Sequence, residues 1–356
     1  MDIRVGIIGA SFAKKAFLPA LRVIPGVSVE AISSLHLASA QNAAQEFNIP
    51  NAYENWHIML KKHKFDLVCI ATPTDTHAEI AIAAMEAGAH ILCEKPTAMD
   101  IAEVEQMLAA AKRSRRLHMV DHELRFNPNR RRIKQLIASG NIGEVRHAHI
   151  TSISSSWADT ASRPKNDWWS SAKRGGGRLG ANGSHQIDMI RWWFGEIVEV
   201  CGEVLTMVPN RLDPYTGECW TATADDVTHF MLRTERGILV TVFLSGVAQY
   251  NLGNHTRIFG SKGTIFLSNE DEKLLLALGN KPLEEITEHD PNADILGINK
   301  GIWSVSVIGA LKEFIAAIRE KRSLYEGATL YDGLATQYVM DAIRLSTTER
   351  RWISIA

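Results

Sequence analysis

Residues Phe65 to Lys95 read "FDLVCIATPTDTHAEIAIAAMEAGAHILCEK". The run Leu67–Ile70 is short and wholly apolar, as a strand buried on both faces should be. Thr72 and Pro73 then break it. A segment with helical spacing follows, opened by Thr76 and Glu79 in a capping-box pattern and stopped by Gly88. A second short apolar run, His90–Cys93, comes next. Strand, helix and strand in this order predict two parallel strands joined by a right-handed crossover. The second strand ends abruptly on Glu94, Lys95 and Pro96. These residues are common in surface loops; alternatively, the strand aims Lys95 at a ligand.

The same alternation extends outward from this unit. Before it, "IRVGIIGA" is an apolar strand running into a glycine, "KKAFLPALRVI" a helix, "VSVEAIS" a strand and "LASAQNAAQEFNI" a helix. After it, Asp100 and Glu103 repeat the capping pattern ahead of "IAEVEQMLAAAKR", and "RLHMVDH" is a further strand. The expectation is a doubly wound α/β domain over residues 1–122. Beyond His122 the pattern changes. "RFNPNRRRIKQLIASG" reads as a helix. Longer β-rich segments follow, with hairpin signals in "RTERG" and "GSKG" that favour antiparallel pairing. Two helices, near Ser304–Glu320 and Thr329–Ser346, close the chain. Residues 123–356 therefore read as an α+β domain with a large, mostly antiparallel sheet.

The chain has 356 residues, formal net charge −1 and 46% hydrophobic residues. That balance gives no global electrostatic case for nucleic acid or an anionic membrane. No apolar run reaches the length of a membrane span. Cys69, Cys93, Cys201 and Cys219 are widely spaced, as expected of reduced thiols in the cytoplasm. The start, "MDIRVGIIGA", runs directly into a strand and does not read as a signal peptide. His147 and His149 share a strand face, but nothing near them has metal-ligand spacing, so no metal is expected.

The first turn, "GASFAK", is a degenerate dinucleotide loop. Gly9 holds the first glycine position of Gly-x-Gly-x-x-Gly, Ser11 the second and Lys14 the third. Ser11 can offer a hydroxyl to a phosphate, and the following helix start attracts anions; a plain strand-to-helix turn is the alternative. The second strand ends "AISSLH", without the acid that would bind the ribose 2′-hydroxyl of NAD. Ser33, Ser34 and His36 stand there instead. They either face a 2′-phosphate, which favours NADP slightly over NAD, or serve as helix caps.

With "GIIGA", "ATPTDTH" (Ala71–His77), "CEKP", "LRFNP" (Leu124–Pro128) and "GGGRLGANGSHQID" (Gly175–Asp188) in this order, the chain resembles the glucose–fructose oxidoreductase, inositol dehydrogenase and rhizopine-catabolism (Gfo/Idh/MocA) family over nearly its whole length. The resemblance implies a cofactor path along Gly9, Ser11, Phe12, Ser34, Thr72, Pro73, His77, Glu94, Lys95 and Pro96. It also implies a cis peptide before Pro96 and places Lys95 beside the nicotinamide. His185 matches the family's acid/base histidine, and a near-neutral pKa suits hydroxyl deprotonation. Asp188 matches the acid one turn later. Family polyol dehydrogenases carry an Asp four residues before that histidine, where this chain has Ala181. Asn182 or Asp188 can flank His185 in its place.

Trp157, Trp168 and Trp169 can stack on a sugar or simply pack. Arg125, Arg163 and Arg178 can bind substrate hydroxyls or carboxylate, or be solvated. The expected function is hydride transfer between NAD(P) and a carbinol carbon of a sugar, sugar acid or cyclitol. Lys95 and His185 are the catalytic pair; Asp188, Asn182, Arg125 and Trp168 are the substrate contacts. A non-catalytic dinucleotide sensor of the same fold is the alternative. A homodimer or homotetramer is expected through a sheet face, because strands such as "ILVTVFLSGV" carry apolar residues on both sides.

Overall fold

The computed structural model describes residues 2–251 and 253–355. The chain forms two compact units, one of residues 1–127 and 290–334, the other of 128–289 and 335–356. Instead of the single boundary expected after residue 122, the chain passes between the units three times. The helix Ile302–Glu320 accounts for the difference. Its Leu311, Phe314 and Ile315 are buried in the same core as Phe17, Leu18 and Leu21 of the first unit.

The first unit holds six parallel strands: β1 (Ile3–Ile8), β2 (Val27–Ser33), β3 (Asn51–Tyr53), β4 (Leu67–Ile70), β5 (His90–Cys93) and β6 (His118–Val120). Their order, β3-β2-β1-β4-β5-β6, reverses direction between β1 and β4. That reversal opens the crevice at the carboxyl ends of the strands where sheets of this kind bind ligands. Two connecting elements had no clear sequence signal, namely β3 and the helix Trp56–Lys62, which Asn55 caps through its side chain. The expected first helix is two, Ser11–Lys15 and Phe17–Arg22, broken at Ala16. Asp100 caps Ile101–Ser114 as expected, its carboxylate accepting from Glu103 N at 2.9 Å, and Glu103 reaches back to Met99 N. Thr76 does not cap His77–Glu86, because Thr72 and the Pro73 carbonyl engage its hydroxyl.

The second unit is built on nine strands in the order β16-β15-β14-β13-β7-β12-β11-β8-β17, with a separate β9–β10 hairpin. These are β7 (Val145–Ile153), β8 (Ile197–Leu205), β9 (Asn210–Leu212), β10 (Cys219–Thr221), β11 (Val227–Thr234), β12 (Leu239–Ser245), β13 (His255–Gly260), β14 (Gly263–Ser268), β15 (Leu274–Leu278), β16 (Glu284–Glu285) and β17 (Ile353–Ser354). All pairings in the nine-stranded sheet are antiparallel except β7 with β12. One face is core: Ala148, Ile150, Val240, Val242, Phe230 and Leu232 are all buried. The opposite face is mixed and not simply apolar. Met231 and Phe243 are exposed there, but His149, Arg233 and Arg257 stand among them. Among the described residues no helix is long and apolar enough to cross a membrane, and no group of three or more His, Cys, Asp or Glu could hold a metal ion.

Candidate active site

The carboxyl edge of the parallel sheet gathers most of the sequence-predicted cofactor residues. Gly9 ends β1 at φ +102°, and its amide donates to the Ser33 carbonyl at 2.8 Å. A Cβ at this position would lie 2.3 Å from the Ala71 carbonyl oxygen. Only glycine fits between the ends of β1 and β4, which leaves an open turn ahead of Ser11 and Phe12. Ser11 is exposed at the first helical position, and Phe12 packs edge-on against Phe17. At the end of β2, Ser33 is buried, and Ser34 just past it is half-buried. Neither caps the next helix, whose N-cap is His36 with no side-chain capping bond. A bare glycine turn with hydroxyls after β2 and no carboxylate suits a dinucleotide. Thr72 and Pro73 are half-buried past β4. His77 is fully buried and joins two loops, with Nε2 2.9 Å from the Thr72 carbonyl and Nδ1 3.0 Å from that of Pro96. Burial holds its pKa below the ordinary histidine value despite those two acceptors.

The Lys95–Pro96 peptide is cis. Lys95 is half-buried, while Glu94 beneath it is 7% exposed. Register explains what sits beside Glu94. Cys93 pairs with Val120 across β5 and β6, so the next residues, Glu94 and Asp121, emerge side by side. Asp121 N donates to the Cys93 carbonyl at 2.8 Å. Neither Asp121 carboxyl oxygen receives an N–H from the described residues, and Asp121 is 1% exposed. A carboxylate so placed would be buried without donors, which is prohibitively costly. Burial, with Glu123 and Glu94 adding repulsion, pushes the Asp121 pKa well up. Glu94 is raised too, mainly by burial; Lys95 partly offsets this, and the Lys95 amide donates to Glu94 Oε2 at 3.2 Å. Sequence reasoning passed over Asp121 and Glu123, although two acids in "VDHEL" directly after a buried strand were a visible signal.

The raised pKa of Asp121 carries a linkage consequence. An acid whose native pKa is raised contributes stability that is present at low pH and lost as pH rises through that native value. Asp121→Asn, neutral at every pH, should therefore flatten the fall in melting temperature as pH rises. The relief at the alkaline end should be on the order of 1–3 kcal/mol, the cost of one unsatisfied buried polar group. Parallel pH–stability curves for the two proteins would remove the raised Asp121 pKa from this account.

In the second unit, Gly175–Gly177 lead into a single π-helical turn, Leu179–Gly183, which continues as the helix Ser184–Phe194. His185, 2% exposed, and Asp188, fully buried, lie one turn apart near its start. Asn182 bridges outward, its amide nitrogen 3.4 Å from the Ser152 hydroxyl and its oxygen accepting from Gln186 at 3.3 Å. Trp168 stacks on Trp169 with ring centroids 4.3 Å apart. Arg125 belongs to the first unit, where Asp332 holds its guanidinium at 2.9 Å.

A parallel six-stranded sheet with a glycine turn at its first crossover, followed by a large mixed sheet, defines a two-domain, dinucleotide-dependent oxidoreductase. Residues 3–122 match the oxidoreductase family with the NAD-binding Rossmann fold, and 130–266 match the GFO/IDH/MocA C-terminal domain. The chain belongs to the GFO/IDH/MocA oxidoreductase family. An oxidoreductase of Rhizobium meliloti is 32% identical over 75% of each chain. Levoglucosan dehydrogenase of Pseudarthrobacter phenanthrenivorans is 28% identical over 99% of this chain and 98% of its own. A structure of levoglucosan dehydrogenase with NADH and levoglucosan, 28% identical, superposes over the whole of both chains with a TM-score of 0.90. The myo-inositol 2-dehydrogenase of Thermotoga maritima is 28% identical over 76% of each chain.

Proposed function

We propose that this enzyme transfers a hydride between a nicotinamide dinucleotide and a carbinol carbon of a sugar, sugar acid or cyclitol. One observation carries the reading: a half-buried lysine stands at the carboxyl edge of the sheet, next in the chain to a buried acid that register sets beside another, Asp121. The relatives named for levoglucosan and myo-inositol support the substrate class. Gly9, Ser11, Phe12, Ser34, Thr72, Pro73, His77, Glu94, Lys95 and Pro96 form the cofactor path. A bound nicotinamide supplies the hydride acceptor or donor. Lys95 and His185 move the hydroxyl proton, and the Lys95 ammonium stabilises the developing alkoxide. Glu94, whose Oε2 accepts from the Lys95 amide, sits next to Lys95 in the chain and helps to position it. Asp188 or Asn182 orients His185 where Ala181 cannot.

A panel of sugars, sugar acids and cyclitols with NAD+ and NADP+, read by absorbance of the reduced cofactor, tests the proposal. Tight dinucleotide binding without turnover on any of them would favour a non-catalytic sensor. Because Ser34 replaces the acid that would repel a 2′-phosphate, NADP(H) is expected to bind at least as well as NAD(H). A strong preference for NAD(H) in titration would remove that part. The reading also includes a homodimer or homotetramer through the sheet face bearing Met231 and Phe243. Light scattering at micromolar concentration measures this, and a monomer would refute it.

A further inference from the structure

Three arginines gather around the buried indole of Trp157 in the second unit. Arg163 stacks over it at 5.0 Å and Arg178 at 5.9 Å, while Arg211 donates to the Trp157 carbonyl at 3.2 Å. Two of the three have acids. Arg163 pairs with Asp167 at 2.9 Å and Arg211 with Asp226 at 3.4 Å. Arg178 does not. Its Nε is buried without a hydrogen-bond partner, and among the described residues its guanidinium makes no ion pair. The acid nearest in charge, Asp225, is already committed. Its Oδ2 accepts from Leu179 N at 2.8 Å and from the Thr228 hydroxyl at 2.6 Å.

The placement of Arg178 is built into the local chain. Gly246, just past β12, leaves room for both the Arg178 stem and the Trp157 ring; their atoms would lie 3.3 and 3.4 Å from a Cβ there. Arg178 immediately precedes the π-helical turn that leads to His185, with Asn182 between them. The residue is half-buried, so part of it stays open to a ligand. Leaving a charge mostly out of water without a counter-charge costs several kcal/mol. A planar guanidinium fork is matched best by a carboxylate, which it binds through two parallel hydrogen bonds. Burial lowers the Arg178 pKa, the charge of nearby Asp225 offsetting this only in part and Arg163 adding to it.

Resting on the dehydrogenase reading above, we infer that Arg178, backed by Trp157, is a carboxylate-recognising subsite and that the substrate is a sugar acid in preference to a neutral sugar or cyclitol.

The test reads binding separately from turnover. Isothermal titration of the full-length protein with D-gluconate and D-galacturonate is compared with D-glucose and myo-inositol. The acids should bind at least 10-fold tighter. Arg178→Gln should weaken them roughly 10–100-fold, the worth of a charge-assisted pair, and leave the neutral ligands within twofold. Arg178→Lys keeps the charge without the fork and should fall between; it carries the test if the Gln variant does not fold. Equal binding of acids and neutral sugars, or acid binding unchanged in both variants, overturns the inference. So does tighter binding of glucose 6-phosphate than of either acid. Acids bound through Arg178 but never oxidised or reduced with either dinucleotide would leave the subsite standing and refute the dehydrogenase. A neutral sugar turned over while acids fail to bind would do the reverse.

Discussion

Lys95→Ala is expected to lower turnover by about 10²–10⁴-fold, the usual worth of a positioned proton-transfer group, while dinucleotide affinity changes little. The separation follows from where the residue sits. The Lys95 side chain leaves the sheet past the last hydrogen-bonded residue of β5, and the backbone that shapes the glycine turn is on β1 and β4. His185→Ala should show the same pattern for the same reason, since His185 is on a helix of the other unit. Steady-state kinetics with the substrate found in the panel, alongside titration of the reduced cofactor by fluorescence, separate the two quantities. Full activity in both variants would show that neither group moves the proton. A parallel loss of cofactor affinity would instead make Lys95 a binding residue.

Gly9→Ala should be the most damaging small substitution in the dinucleotide-binding unit. The added methyl would stand 2.3 Å from the Ala71 carbonyl oxygen and 2.4 Å from its carbon. Both belong to backbone that cannot swing aside, because the Ala71 amide is tied to the Ile8 carbonyl at 2.7 Å. The left-handed φ adds about 1–2 kcal/mol for a residue with a Cβ, and overpacking adds about 1–3 kcal/mol. Together these predict a drop in melting temperature on the order of 5–15 °C, with loss of dinucleotide binding even below the new midpoint. A variant that melts within a degree of the parent and binds cofactor would show that β1 and β4 part easily, contrary to the packing described.

The parallel sheet was legible because its strands are fully buried and so read as apolar runs, as in Leu67–Ile70 and Ile91–Cys93. The short edge strands β3 and β17 were not, because two or three residues carry no periodicity. The π-helical turn at Leu179–Gly183 leaves no signature in propensity either; the glycines there suggested only a tight backbone. Candidate site residues were legible by type but not by partner. Arg125, Arg163 and Arg178 look alike in the sequence; Asp167, four residues on, pairs with Arg163, while only a tertiary contact assigns Asp332 to Arg125. The Glu94–Asp121 pair depends on strand register, which neither segment shows alone. The return of residues 290–334 to the first unit is likewise a fact of long-range packing, invisible to any local pattern.

That return bears on the order of events during synthesis. The sheet β1–β6 is complete once residue 120 has emerged, yet Phe17, Leu18 and Leu21 wait for Leu311, Phe314 and Ile315 to cover them. At translation rates of about 5–20 residues per second, the missing helix arrives roughly 10–40 s later. The nascent Rossmann half therefore spends that interval with an uncovered apolar flank, open to holding by a chaperone. Messages that slow the ribosome within the second unit lengthen the exposure without altering a single residue of the finished enzyme.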